Sequence, residues 1–259
     1  MRLAIIIPIY NEAALAPRLL RRLLDTPAPR AEDTGAPITR HIHLVDDGSS
    51  DGTTGALDGI IAAHRAGGGA AGTDAITLHR HDRNRGKGAA VRTGLRAALS
   101  AGCDAVLIQD ADLEYDPRDH EPLLRPILDG RADAVIGSRF LGEAHRVLYF
   151  WHSLANRFIT LCSNALTNLN LSDIECCLKA CTVEIARDLE LAEERFGIEP
   201  ELVAKFARAR VSTPDGPRRA RVFEVAVTYA GRTYAEGKKI RPADGLAALW
   251  CIVKYNVLE

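Results

Sequence analysis

Residues Leu3 to Ile7 form an unbroken apolar run, the pattern of a strand covered on both faces as in a parallel sheet. Behind it Leu15, Leu19, Leu20, Leu23 and Leu24 recur at helical spacing, with Pro17 tolerable only in the first turn. Thr26 to Thr39, rich in Pro, Ala and charge, reads as a surface loop. The alternation then repeats: strand His41–Val45, helix Thr53–His64, strand Ala75–His79, helix Lys87–Ser100, strand Ala105–Ile108. Strands alternating with helices predict right-handed crossovers and a doubly wound α/β sheet. Further on, Asp133–Gly137 reads as a strand and Tyr149–Leu166 as a long helix with Phe150, Leu154, Phe158 and Leu161 on one side. Beyond it the pattern predicts a short strand around Cys177–Ala180, helices near Val183–Leu191 and Glu201–Ala209, a strand Val222–Tyr229 and a terminal helix from Asp244. The glycine-rich stretch Gly67 to Gly72 is an insertion rather than a phosphate loop, because no Lys-Ser or Lys-Thr follows it.

Composition narrows this picture. At 259 residues and 47% apolar, the chain has enough material for a full core without staples. Its 33 basic and 34 acidic residues nearly cancel, so no global field argues for nucleic acid and any anion site must be local. Six cysteines without Cys-x-x-Cys spacing read as reduced, packed thiols of a cytoplasmic protein. The start is interrupted by Pro8 too soon for a signal peptide, and no run of about 18 apolar residues encodes a transmembrane anchor.

The chemistry lies where strands end. Pro8-Ile9-Tyr10-Asn11-Glu12 follows the first strand, Asp46-Asp47-Gly48-Ser49-Ser50-Asp51-Gly52-Thr53 the second, Asn84-Arg85-Gly86-Lys87-Gly88 the third and Asp110-Ala111-Asp112-Leu113-Glu114 the strand ending at Ile108. In a parallel sheet these ends share one edge, where open α/β sheets bind ligands. Asp46 and Asp47 can accept bonds from a base or ribose, although a turn with Asp51 or Thr53 as helix cap explains part of the same cluster. Lys87, at a helix start, suits phosphate oxygens, or else a merely exposed basic turn. Asp110, Asp112 and Glu114 suit a hard divalent cation; a solvated turn is the alternative.

Taken in order, these segments, with Gly137-Ser138-Arg139-Phe140, resemble the inverting family 2 glycosyltransferases, in the branch of dolichyl-phosphate mannose synthases and polyprenyl-phosphate glycosyltransferases. The resemblance implies a GT-A fold, a Rossmann-like, mostly parallel sheet flanked by helices. It implies one domain over residues 1–259, with a nucleotide-sugar half to residue 140 and an acceptor half from 141. Pro8, Tyr10, Asn11, Glu12, Asp46, Asp47 and Lys87 would then hold a nucleoside diphosphate sugar. Asp110 and Asp112, with Glu114, would hold Mg²⁺ or Mn²⁺. The branch often has Gln where this chain has Glu114.

The C-terminal half resembles the branch more loosely. Arg195-Phe196-Gly197-Ile198-Glu199-Pro200-Glu201 is similar to a segment that carries an acceptor-facing acid, which makes Glu199 the first choice and Glu201 the second. Glu199 would act as general base toward a hydroxyl acceptor, whereas a phosphate acceptor needs none. A helix start explains the same acids. Gly231-Arg232-Thr233-Tyr234-Ala235-Glu236-Gly237-Lys238-Lys239 resembles the branch's basic loop, so Arg232 and Lys238, with Arg139, join the substrate-binding candidates; relatives commonly show Ser before the Lys.

Tyr149, Phe150, Trp151 and Phe158, with Leu246, Leu249, Trp250, Ile252 and Val253, read first as core or a homodimer face and second as a lipid groove or a surface at the inner face of a membrane. The expected acceptor is polyprenyl phosphate. The rivals are a hydroxyl-directed transferase of the same fold and a non-catalytic nucleotide-sugar-binding module. A dinucleotide oxidoreductase or a nucleotidyltransferase is disfavoured, since the first strand is not followed by Gly-x-Gly-x-x-Gly or a Gly-rich Arg-containing turn.

Overall fold

The structure, a computed structural model, describes residues 1–31, 35–66, 74–142, 149–233 and 242–259. The glycine run at 67–72, Arg146, and the loop residues Tyr234 to Lys239, including Lys238, lie outside the described residues.

The apolar runs fold as strands. β1 (Arg2–Ile9), β2 (Thr39–Asp46), β3 (Asp74–Arg80) and β4 (Ala105–Ile108) are linked through α1 (Ala16–Asp25), α2 (Thr53–Ala66) and α3 (Lys87–Ser100). Then come α4 (His120–Leu128), β5 (Ala134–Ser138), α5 (Phe150–Thr167), β6 (Lys179–Thr182), α6 (Val183–Arg187), α7 (Ile198–Arg208), a small hairpin of β7 (Arg210–Val211) and β8 (Arg218–Arg219), β9 (Val222–Ala226) and α8 (Pro242–Val253). A wider helical turn, Lys254–Leu258, follows.

Among the described residues the main sheet has the order β3-β2-β1-β4-β6-β5-β9. β1 pairs parallel with both β2 and β4, and β2 with β3. β6 is inserted antiparallel between β4 and β5, a reversal that alternation alone did not predict. Leu3 to Ile7 are sealed from solvent on both faces by the flanking helices, as their continuous apolarity requires. The register sets Ile9 beside Asp46 and Asp46 beside Arg80, so the polar segments after β1, β2, β3 and β4 emerge at one edge.

One helix, α4, escaped the periodicity, and two predicted elements shifted. α4 contains Pro126 and is preceded by a tight turn at Pro117–Asp119, yet it buries Leu123, Leu124 and Ile127. Its prolines mask a helix that tertiary packing supports. The segment around Cys177–Ala180 pairs later than expected, at Lys179–Thr182, and the helix from Val183 ends at Arg187.

The apolar stripes of α5 and α8 divide. Ile252 is buried and Leu249 packs partly against the core. Phe150, Trp151, Leu154, Phe158, Leu161, Leu246, Trp250 and Val253 instead face outward, with Trp151 73% and Trp250 59% exposed. No helix among the described residues is long and apolar enough to cross a membrane.

Candidate active site

At the end of β1, Pro8 is buried in the strand, while Tyr10 reaches solvent at 38% exposure. Asn11 takes a left-handed conformation, φ 49°. Its backbone N–H donates to Ser49 Oγ at 2.9 Å, and its Oδ1 accepts from Ser50 N–H at 2.9 Å, which ties the β1 and β2 ends together. Glu12 N–H donates to Thr53 Oγ1 at 3.0 Å.

Asp46 and Asp47 are both buried. Asp46 accepts from Ser49 N–H at 2.9 Å and from the Thr54 hydroxyl, so it shapes the turn. Asp47 accepts from Arg85 N–H at 2.9 Å, Gly86 N–H at 2.7 Å and His81 Nδ1 at 2.6 Å. These bonds fix the loop that leads into α3. Gly86 is required there: its φ is 97°, and a Cβ would meet the Glu194 carbonyl oxygen at 2.1 Å. At the start of α3, Gly88 and Ala89 N–H donate to that same carbonyl. The Gly86, Gly88 and Ala89 amides at this helix start are therefore taken up by the protein, and the Lys87 side chain is the group delivered to the site.

Lys87 Nζ lies 2.7 Å from Asp110 Oδ1 and 2.8 Å from Glu199 Oε1. Burial opposes its charge, but Asp110 and Glu199 outweigh burial and hold the ammonium above the usual lysine range. The other Glu199 oxygen lies 2.5 Å from Lys179 Nζ. Lys179 is buried on β6, and its ammonium also donates to the carbonyls of Ile174, at 3.1 Å, and Cys176. A lone lysine in the apolar run Cys176-Cys177-Leu178-Lys179-Ala180-Cys181 was a legible signal that the sequence reading passed over. Glu201 is turned away: it is buried and accepts from Ala192 N–H at 2.6 Å and Glu193 N–H at 2.9 Å.

Asp112 and Glu114 meet Arg232. Asp112 Oδ2 lies 2.9 Å from Arg232 Nη2; Glu114 Oε1 accepts from Arg232 N–H at 2.8 Å, and Oε2 accepts from the Tyr229 hydroxyl at 2.8 Å. Arg232 also reaches Glu12 at 3.4 Å, so the first strand end and the C-terminal basic segment touch the same cluster. Burial first, then Asp110 and Glu114, push the Asp112 carboxyl up to about 7, with Arg232 partly offsetting them.

Among the described residues no three His, Cys, Asp or Glu side chains converge as a metal-holding group. The carboxylate pair Asp110 and Asp112 still fits a small hard cation that takes one or two protein carboxylates and completes its shell with phosphate and water. Burial raises Asp112 most, and the repulsion from Asp110 and Glu114 that adds to it is what a divalent ion would relieve.

Arg139, at the far side, gives Nε and Nη2 to Asp173 at 2.6 and 2.8 Å and lies 5.1 Å over the Tyr229 ring. Asn156 on α5 accepts from the same guanidinium at 3.2 Å. Asn156 lies on the helix that carries the outward apolar residues Leu154 and Phe158. Asp173 and Tyr229, like Lys179, were not among the sequence candidates.

Known proteins similar to this chain bear on its family and fold. The family model described as glycosyl transferase family 2 matches residues 4–189. An undecaprenyl-phosphate mannosyltransferase of Micrococcus luteus is 30% identical over 243 residues, covering 92% of this chain and 87% of that protein. An undecaprenyl-phosphate 4-deoxy-4-formamido-L-arabinose transferase of Aeromonas hydrophila is 26% identical over 235 residues, 91% of this chain, which spans 62% of that relative's length. A glucosyl-3-phosphoglycerate synthase of Mycobacterium tuberculosis, solved with Mn²⁺, uridine diphosphate and phosphoglyceric acid, superposes with TM-score 0.64 at 16% identity over 98% of this chain and 78% of that one. The expected GT-A architecture, a mostly parallel sheet flanked by helices, is thereby met.

Proposed function

Because the chain belongs to glycosyl transferase family 2, we propose that it moves a hexose from a nucleoside diphosphate sugar, of the GDP-mannose or UDP-glucose type, to polyprenyl phosphate with inversion at the anomeric carbon. The observation that carries this reading is Glu199, whose two oxygens already accept from Lys87 and Lys179. A carboxylate so engaged positions cations; a general base must reach the proton that it takes. A phosphate acceptor, already anionic, needs no base, so this arrangement favours phosphate over a hydroxyl. The two named undecaprenyl-phosphate relatives point the same way.

In this account the acceptor oxygen attacks in line and the sugar–diphosphate bond breaks as the new bond forms. Lys87, oriented by Asp110 and Glu199, and Arg232, oriented by Asp112 and Glu114, meet the negative charge that grows on the departing diphosphate, which is chiefly electrostatic catalysis. Asp110 and Asp112, with Glu114 behind them, would hold Mg²⁺ or Mn²⁺, which when bound neutralises diphosphate oxygens. Tyr10, exposed at the β1 end, would cover the base.

The exposed face of α5 and α8 supports a lipid acceptor. It carries Trp151 and Trp250 among aliphatic side chains, and α5 contains no acid. Such a face suits peripheral attachment at a membrane surface, with Arg139 near its edge. Thermal denaturation with GDP-mannose, UDP-glucose or UDP-N-acetylglucosamine tests the donor half: one of them raises the melting temperature in the presence of Mn²⁺, and no shift with any of them overturns the reading.

A further inference from the structure

The segment Asp173 to Cys177 runs from Arg139, which Asp173 holds, to the donor side, where Cys177 lies beside Asp110 and Lys87. Within it each neighbouring cation already faces an acid: Arg139 faces Asp173, and Lys179 and Lys87 face Glu199. Glu175 is the acid left over. Its residue is half-buried and Oε1 is sealed from solvent, without a hydrogen-bond partner among the described residues. A buried oxygen of this kind needs an explanation, and a bound ligand is one.

The groups around Glu175 are Glu199 from α7, Lys179 from β6, Arg139 from the end of β5 and Asp173 from its own segment. Burial first, then Glu199, push its carboxyl up to about 7, with Lys179 and Arg139 partly offsetting them. Near neutral pH much of it therefore carries a proton, while Oε1 has no partner among the described residues.

We propose that Glu175 is an acceptor-binding residue, its carboxyl donating a hydrogen bond to an oxygen of the incoming phosphate monoester beside Arg139. The inference rests on the phosphate-acceptor reading above. A phosphate monoester loses its second proton at about 6, so near pH 7 acceptor and Glu175 are matched, one as acceptor and the other as donor. Ionised Glu175 would instead repel the phosphate.

The test is the affinity of the full chain for polyprenyl phosphate in detergent micelles, measured between pH 6.5 and 9, about half a unit below to two units above the range just given. In the unchanged protein the dissociation constant rises by roughly tenfold per unit once the pH passes the Glu175 range. Glu175→Gln, which keeps the shape and a neutral donor, stays flat to within about threefold, and Glu175→Ala is equally flat but binds more weakly than Glu175→Gln at every pH. If Glu175→Gln retains the pH slope of the unchanged protein, or if it lowers kcat while leaving acceptor affinity and its slope untouched, the inference is overturned. If the unchanged protein binds no polyprenyl phosphate at any pH, the phosphate-acceptor reading itself falls and takes this one with it. A role in folding alone would move the melting temperature without moving the slope.

Discussion

Glu199 Oε1 lies 2.8 Å from Lys87 Nζ, so an acid at the start of α7 and a cation at the start of α3 form one ion pair across the site. Lys179, inside the sheet, takes the other carboxylate oxygen. Lys87 is thus held by Glu199 from α7 and by Asp110 after β4, so its position depends on segments far apart in the chain.

Substitution at this pair separates positioning from base catalysis. Glu199→Gln keeps an oxygen for one lysine, so kcat toward polyprenyl phosphate falls by about tenfold or less, whereas removal of a general base costs about 10²–10⁴. Lys87→Ala removes charge from the departing diphosphate and lowers kcat by at least about 100-fold. Steady-state kinetics of both variants check this; a thousandfold loss in Glu199→Gln would restore the base.

The Asp112 carboxyl, pushed up to about 7, makes the metal-free protein pH-sensitive. An aspartate ionises at about 3.9 when unfolded, so between that value and 7 the folded state binds more protons than the unfolded one. Stability therefore falls as pH rises through this window. Melting curves without metal decline from about pH 4 to 7. Mn²⁺ restores stability at the upper end, and Asp112→Asn flattens the decline while losing most of the Mn²⁺ effect. A metal response in Asp112→Asn equal to that of the unchanged protein would remove Asp112 from the cation site.

The outward face of α5 and α8 predicts association with lipid. Trp151→Ser combined with Trp250→Ser lowers partition onto phosphatidylglycerol-containing vesicles by about tenfold or more, since each ring contributes apolar area at the interface. Both side chains are exposed, so the melting temperature changes little. Cosedimentation reads the first effect. Unchanged vesicle binding, together with a dimer that dissociates in the variant, would assign the face to a second copy.

Asp133 anchors the last sheet edge. It accepts from Arg218 Nη1 at 2.6 Å and Nη2 at 2.9 Å and from Arg221 N–H at 2.6 Å, and the arginines hold its carboxyl well below the usual aspartate range against burial. Asp133→Asn costs about 2 kcal/mol in urea unfolding, discounted because both arginines are partly exposed. That depressed carboxyl contributes stability above its unfolded value of about 3.9 and loses it as pH falls, so the penalty shrinks in acid. A penalty that persists at low pH would contradict this assignment.

Much of the fold up to about residue 140 was legible because its pattern is local. Continuous apolar runs such as Leu3 to Ile7 mark buried strands, and the polar residues after each strand had to share an edge. The antiparallel β6 was not legible, since direction depends on where the chain returns after α5, and α4 was hidden by its prolines. Among site residues, pairings across long separations carried no sequence signal: Glu199 with Lys87 and Lys179, Arg139 with Asp173, and Glu114 with Tyr229. The apolar stripe of α5 was visible as periodicity, but periodicity does not say whether the stripe faces core or solvent.

The most direct measurement is transfer itself. The protein is incubated with labelled GDP-mannose or UDP-glucose, Mn²⁺ and undecaprenyl phosphate, and the organic phase is assayed for label. A lipid-linked hexose is expected to form only with divalent cation and only from the phosphorylated polyprenol, with the anomeric configuration inverted. Label transferred instead to the unphosphorylated polyprenol or to a soluble hydroxyl acceptor, with undecaprenyl phosphate inert, would contradict that expectation.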